Sequence, residues 1–309
     1  MLDTNVLLSP WLLGVLGLCI GSFLNVVIHR LPLILERQWL REAVDQLHDG
    51  PELARASGAP AAEAEKISAS ARGLADRMEK LPHLGIATPR SRCPHCGHQI
   101  RWYENLPVVG WLMLGGKCSA CKARISKRYP LVELATGAAF AAIGWHFGAQ
   151  PTTLLWCGFV AALIALALID WDTTLLPDII NQPLLWAGLA AAAFGWTGLP
   201  LQESLYGALA GYLSLWSVYW LFKLVTGKEG MGAGDFKLLA ALGAWLGWQM
   251  ILPIVLGASA IGAVVGIAMK LSNQLREGRY VPFGPFLAGG GLVVLFAGQA
   301  TVSGWLGWA

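Results

Sequence analysis

Apolar residues run almost unbroken from residue 7 to 28, and again from 131 to 300. The polar segment from His29 to Pro130 separates the two stretches. A helix that crosses a bilayer needs roughly 20 mostly apolar residues. Short polar or glycine-rich breaks divide the second stretch. The pattern predicts eight membrane-spanning helices, at 7–28, 131–148, 152–170, 183–198, 204–225, 236–247, 250–270 and 284–300, of which the sixth is short and weakly divided from the seventh. The expected fold is an all-α polytopic membrane protein with a first transmembrane helix (1–28), a polar domain (29–130) and a membrane domain of about seven helices (131–309). The apolar first run lacks a basic leader and continues into a basic segment, so it reads as a retained span.

Within the polar domain, residues 36–85 are rich in Ala, Glu, Lys and Arg and read as a helical insertion. Ile67, Leu74, Met78 and Leu81 have helix-like spacing, which predicts one amphipathic helix over 61–81. Residues 90–125 differ in kind, because they carry four of the six cysteines.

Composition fits this layout. The chain is 55% hydrophobic and 13% charged, where a soluble domain carries roughly a quarter charged residues. The formal charge of +3 is too small to argue for nucleic acid as a partner, and membrane lipid is the expected surroundings. Charge placement adds the orientation. Of the 22 Lys and Arg residues, 16 lie in 29–130, and the rest lie in the loops 223–237 (Lys223, Lys228, Lys237) and 270–283 (Lys270, Arg276, Arg279). Eight spans put all of these on one side, and the intervening loops near 149–151, 199–203 and 248–249 carry none. Basic loops face the cytoplasm, so the polar domain is expected to be cytoplasmic and both termini periplasmic.

Cys93-Pro-His-Cys96 and Cys118-Ser-Ala-Cys121 are two CxxC knuckles. Each aims two thiolates at one point, and together they offer a tetrahedral four-thiolate site suited to zinc. Four thiolates close the coordination sphere, so the metal reads as structural. A zinc-ribbon-like module is expected, with Gly97 and the Gly115-Gly116 pair allowing tight turns. Two redox disulfides are the alternative, which a reducing cytoplasm disfavours. His95 and His98 lie beside the first knuckle as further possible ligands. Cys19 and Cys157 stand alone in apolar runs and read as small buried hydrophobes.

Acidic residues are rare after residue 130. Asp170 and Asp172 close the third apolar run, Asp178 follows them, and Asp235 opens the sixth run within Gly230-Met-Gly-Ala-Gly-Asp235. Carboxylates at span ends are costly and mark functional sites. Asp170 and Asp235 are expected at the same depth, joined by two intervening spans that return the chain to one face. Two close carboxylates share one proton. One then activates water while the other polarises a carbonyl, as in aspartic protease chemistry. Gly232 and Gly234 leave room for another backbone beside Asp235, and this Gly-x-Gly-Asp placement marks intramembrane aspartyl proteases. Asp172 and Asp178 read as loop or capping residues. They and Glu229 are also expected to attract a basic substrate segment. Paired aspartates serve equally in a proton- or cation-coupled transporter, although inverted repeats of the span pattern are not seen.

The chain resembles the type IV prepilin peptidases, or prepilin leader peptidase/N-methyltransferases, along nearly its whole length. The likeness is carried by Gly21–Pro32 (GSFLNVVIHRLP), both cysteine pairs, Arg128–Leu134 (RYPLVEL), Ile169-Asp170 with Leu176-Pro-Asp178, Gly232-Ala-Gly-Asp235, and Pro282–Phe286 (PFGPF). The resemblance maps the two catalytic aspartates to Asp170 and Asp235. It implies a bacterial inner-membrane enzyme that removes the basic leader from type IV prepilins or type II secretion pseudopilins at the cytoplasmic face. It further implies methylation of the new N-terminus with S-adenosylmethionine, to which Gly116 is the position most linked. A peptidase without methylation is the narrower alternative.

Overall fold

The computed structural model describes residues 4–272 and 281–307. Among the described residues the regular elements are helices, and each of the eight apolar runs forms one. In chain order they are α1 (Thr4–Leu7), α2 (Pro10–Gln46), α3 (Gly50–Ser57), α4 (Ala61–Glu79), α5 (Val109–Met113), α6 (Arg128–Phe147), α7 (Thr153–Thr173), α8 (Asp178–Ala193), α9 (Leu201–Thr226), α10 (Ala233–Leu246), α11 (Ile251–Leu271), α12 (Gly284–Ala297) and α13 (Gln299–Trp305). Arg276, Arg279 and Glu277 lie outside the described residues.

Four of these helices are long and apolar enough to cross a membrane: α2, α7, α9, and α11 with the short turn before it. A fifth candidate is the α12–α13 pair, bent by 108° at Gly298. Their outward faces carry large apolar side chains, including Leu12 and Phe23 of α2, Leu213 and Val218 of α9, and Leu256, Val264 and Ile267 of α11. An apolar exterior of this extent fits a multi-pass membrane protein.

The first helix does not stop where the apolar run does. Residue 28 marks a change of polarity, and α2 continues to Gln46. The added segment is rich in Leu, Glu, Arg and Gln, which are strong helix formers, and Pro32 is accommodated within it. Arg30 and Arg37 on this extension donate to the carbonyls of Gly85 (3.0 Å) and Pro82 (3.1 Å), tying down the returning chain. The helix expected over 61–81 is α4, but its packed face is not the one drawn by its large apolar residues. Ala64, Ser68, Ala71 and Met78 are buried, and Leu74 is partly buried, whereas Ile67 and Leu81 are exposed. Small residues let α4 lie close against α3 and the end of α2, so size outranks hydrophobicity there.

Helix contacts in the membrane domain also rest on small residues. A side chain at Gly17 would meet the Thr136 carbonyl oxygen at 2.7 Å, and one at Gly21 would meet Glu133 Cα at 2.7 Å, which brings α2 against α6. Gly207 of α9 and Gly243 of α10 face each other backbone to backbone. Such contacts are how helices associate where the solvent itself is apolar. At 14 residues α10 spans only about 21 Å, but it has no need to match a bilayer. Every residue from Asp235 to Leu246 except Lys237 is buried, beneath α7, α8, α9 and α12. This is why its sequence shows no amphipathic period. Trp156 and Phe159 of α7 close the core against Trp245, with ring centroids 5.2 and 4.9 Å apart. Cys157 is buried as expected, while Cys19 lies on the exposed face of α2.

Candidate active site and metal centre

Asp170 lies in the last turn of α7 and Asp235 in the first turn of α10. They are 4% and 8% exposed, and their carboxyl groups are close enough to interact electrostatically. The connection after α7 makes this meeting possible. Thr174 adopts a left-handed conformation (φ 55°) and caps the helix, its N–H donating to the Asp170 carbonyl at 2.8 Å. The chain then turns through Leu176 and Pro177 directly into α8, which starts at Asp178.

Leu176 is the wedge of the site. A side chain at Gly234 would lie 2.7 Å from Leu176 Cβ, and one at Gly284 would lie 3.2 Å from Leu176 Cδ2. Both glycines therefore let the segment after α7 sit between the N-termini of α10 and α12. Gly232 is open, with only Asp235 Oδ2 near its Cβ position, at 4.0 Å. Asn181 of α8 is 1% exposed and donates to the Gly234 carbonyl at 3.3 Å, bracing the backbone before Asp235.

Gly284 is the partner that sequence reasoning did not single out. Its N–H donates to Asp170 Oδ2 at 2.8 Å. A Cβ there would stand 2.6 Å from the same oxygen, so any larger residue must displace the Asp170 carboxyl group or the helix. The signal for it lies in Pro282–Phe286, where Gly284 stands between two prolines at the start of α12.

The other acidic residues near this edge are already paired within the chain. Asp172 forms an ion pair with Arg128 at 2.7 Å, Asp178 with Lys237 at 2.7 Å, and Glu229 with Lys223 at 2.8 Å. Lys223 draws the Glu229 carboxyl below its ordinary value. Each of the three carboxylates expected to attract a basic segment therefore has a cation of this chain beside it. Asn25 donates to the Tyr129 carbonyl at 3.1 Å and joins α2 to the start of α6.

Residues 90–125 fold into two matching knuckles. In the first, Cys93 N–H donates to the His98 carbonyl (2.9 Å) and Gly97 N–H to the Cys93 carbonyl (2.9 Å). In the second, Cys118 N–H donates to the Ala123 carbonyl (2.8 Å) and Lys122 N–H to the Cys118 carbonyl (3.1 Å). Gly97 and Lys122 hold equivalent places, with φ of 70° and 61°. The four sulfurs lie within 4.8 Å of one another, with Cys93–Cys121 at 3.7 Å and Cys96–Cys118 at 3.9 Å. Zinc–sulfur bonds of about 2.3 Å in a tetrahedron place sulfurs about 3.8 Å apart, so the cluster fits such an ion.

Two of the thiols, one from each knuckle, are drawn toward thiolate. Backbone N–H groups of His95 and Cys96 bring Cys93 down to about 7, and those of Cys121 and Ala120 lower Cys118. At Cys96 the His98 N–H is outweighed by burial and the neighbouring sulfurs, which push that thiol up to about 11. Thiolate is the form that binds metal. His98 turns away from the cluster to Ser119 (3.1 Å) and Glu104 (3.4 Å), and His95 is exposed. Gly116, at φ 68°, lies against the Trp111 ring. A Cβ would meet Trp111 Cζ2 at 2.7 Å.

Residues 15–147 match the bacterial peptidase A24 N-terminal domain, and residues 157–267 match the type IV leader peptidase family. Among curated proteins, the chain is 48% identical over 299 residues to the prepilin leader peptidase/N-methyltransferase of Stutzerimonas stutzeri, covering 96% of this chain and 93% of that one. It is 48% identical over 288 residues to the protein of the same name from Pseudomonas aeruginosa (92% and 89% covered). To that from Aeromonas hydrophila it is 43% identical over 295 residues (94% and 93% covered). No solved structure matches the chain.

Proposed function

The chain belongs to the type IV leader peptidase family, and on that premise we propose that it cleaves leader peptides from type IV prepilins or type II secretion pseudopilins with the Asp170–Asp235 pair, then N-methylates the new terminus. The observation that carries this reading is the convergence of two buried carboxylates from α7 and α10 at one edge of the helical domain. With one proton held between them, one carboxylate takes a proton from water as it attacks the scissile carbonyl. The other donates a hydrogen bond to the carbonyl oxygen, and later its proton to the leaving amine. Gly284 N–H orients Asp170, and Gly234 allows the close packing that sets Asp235. Which carboxylate starts as the base belongs to the pair as a unit.

In this reading all eight apolar helices form the membrane domain of an inner-membrane protein, with both termini periplasmic and the basic segments cytoplasmic. The aspartates then sit at the cytoplasmic face, where the basic leader of a prepilin meets its apolar helix. Cys93, Cys96, Cys118 and Cys121 hold a structural zinc ion that fixes the 90–125 module. S-adenosylmethionine supplies the methyl group when bound.

The test is mass spectrometry of a full-length prepilin incubated with the purified protein in detergent. Removal of the leader and addition of one methyl group are expected. Without S-adenosylmethionine, cleavage persists and methylation stops. An intact prepilin under both conditions would overturn the reading.

A further inference from the structure

A cavity of about 610 Å³ lies between the four-cysteine module and the facing ends of α2 and α6, apart from the aspartate pair. That volume suits a ligand of nucleotide size. Three observations mark it as built for one. Glu133 of α6 is a buried carboxylate, 8% exposed, and it lines this cavity. Its Oε2 accepts the N–H of Val108 at 2.7 Å. Val108 sits in a γ-turn of the rare, strained hand (φ 59°, ψ −49°), closed by Val109 N–H to the Pro107 carbonyl. A β-branched residue there is held against its own preference, and such strain concentrates at functional sites.

We propose that this cavity is the methyl-donor site, binding the adenosyl sulfonium amino acid between the membrane helices and the cysteine module. The proposal rests on the methyltransferase part of the function proposed above. The donor has an aromatic base, ribose hydroxyls, a cationic sulfur and an amino-acid carboxylate, and the lining offers a partner for each. Trp111 and Tyr129 present aromatic rings, Glu133 a carboxylate for hydroxyls or the cation, and Arg124 a guanidinium for the donor's carboxylate.

This assigns a role to Gly116, which does not itself line the cavity. Its missing side chain lets the Trp111 ring lie where a Cβ would stand at 2.7 Å, and the Trp111 indole N–H is anchored on the Ile125 carbonyl at 3.3 Å. Gly116 is thus a positioning residue that acts through Trp111. The site also adjoins the peptidase edge. Tyr129 follows Arg128, whose guanidinium holds Asp172 at 2.7 Å, two residues beyond Asp170. A newly freed pilin amine therefore has a short path to the donor. There its nitrogen lone pair forms the new C–N bond as the C–S bond breaks to a neutral thioether, and the ammonium releases its extra proton to water.

The experiment is calorimetric titration of S-adenosylhomocysteine into the metal-loaded full-length protein in detergent. It is paired with ultraviolet crosslinking of methyl-labelled S-adenosylmethionine to the wild type and peptide mapping. Binding by the wild type is expected, with Glu133→Gln weaker by about tenfold or more, as for loss of a charged hydrogen-bond partner. Gly116→Ala is expected to weaken binding and to shift Trp emission, a signature of the displaced indole. Label is expected in peptides from 91–133. Metal content verifies the fold of each variant, and the crosslink on unmutated protein needs no variant at all. Label confined to α7–α12, with prepilin methylation intact, overturns the site and leaves the function standing. A wild type that neither binds the probe nor methylates prepilin overturns both.

Discussion

Gly284→Ala is a small change with a large expected effect. The new Cβ would stand 2.6 Å from Asp170 Oδ2, where ordinary contact begins at 3.4 Å, so about 0.8 Å must be found. Leu176 Cδ2, at 3.2 Å from the same Cβ position, closes the other way out. Either the carboxylate rotates or α12 retreats, and both break the 2.8 Å N–H bond to Asp170. A hydrogen bond to a charged group contributes about 1.5–3 kcal/mol, and a displacement near 1 Å at a reacting group costs about 100-fold in rate. We expect kcat/KM for prepilin cleavage to fall by about 100-fold, read from initial rates in detergent. The control is Gly289→Ala in the same helix, where a Cβ meets nothing within 4 Å and activity should be unchanged. Alanine is the better helix former by about 1 kcal/mol, so lost helix propensity cannot explain a defect at 284. A Gly284→Ala rate within about threefold of wild type, far short of that 100-fold loss, refutes the contact argument.

Other outcomes follow from the same contacts. Gly207→Val forces a side chain into the Gly243 backbone and should lower the melting temperature by several degrees or prevent accumulation of folded protein, read by thermal unfolding in detergent. Cys118→Ser should remove bound zinc, measured by elemental analysis, and make residues 90–125 sensitive to protease. Lys122→Gly relieves a left-handed residue (φ 61°). It should stabilise the module by about 1 kcal/mol, read as a higher denaturant midpoint for metal release. Asp178→Asn breaks an ion pair whose members are 28% and 57% exposed, so the stability change should stay within about 1 kcal/mol.

The apolar runs revealed the helices because a lipid-facing or wholly buried helix must be apolar around most of its surface. Each of the eight runs holds a helix, but among the described residues only four of these, or five with the bent α12–α13 pair, are long and apolar enough to cross a membrane, and the last run breaks at Gly298. Polarity is a poor guide to where such a helix ends, and α2 continues 18 residues past the end of its apolar run at residue 28, to Gln46. The cysteine cluster was legible because ligand spacing is local. The roles of Gly284, Leu176 and Asn181 were not, because each acts by contact with a residue far along the chain, and nothing in a local pattern reports that. The cation partners of the acidic residues were hidden for the same reason: the fold brings Arg128 to Asp172, Lys237 to Asp178 and Lys223 to Glu229. Glu133 carries no local signal in sequence, because the cavity it lines exists only once α2, α6 and the cysteine module meet.

The central claim is that Asp170 and Asp235 together perform the hydrolysis. The direct measurement is prepilin cleavage by purified wild type, Asp170→Asn and Asp235→Asn in detergent, with bound zinc and helical content measured for each. The account predicts that each single substitution abolishes cleavage while zinc and helicity survive. Cleavage near the wild-type rate by either variant would contradict it.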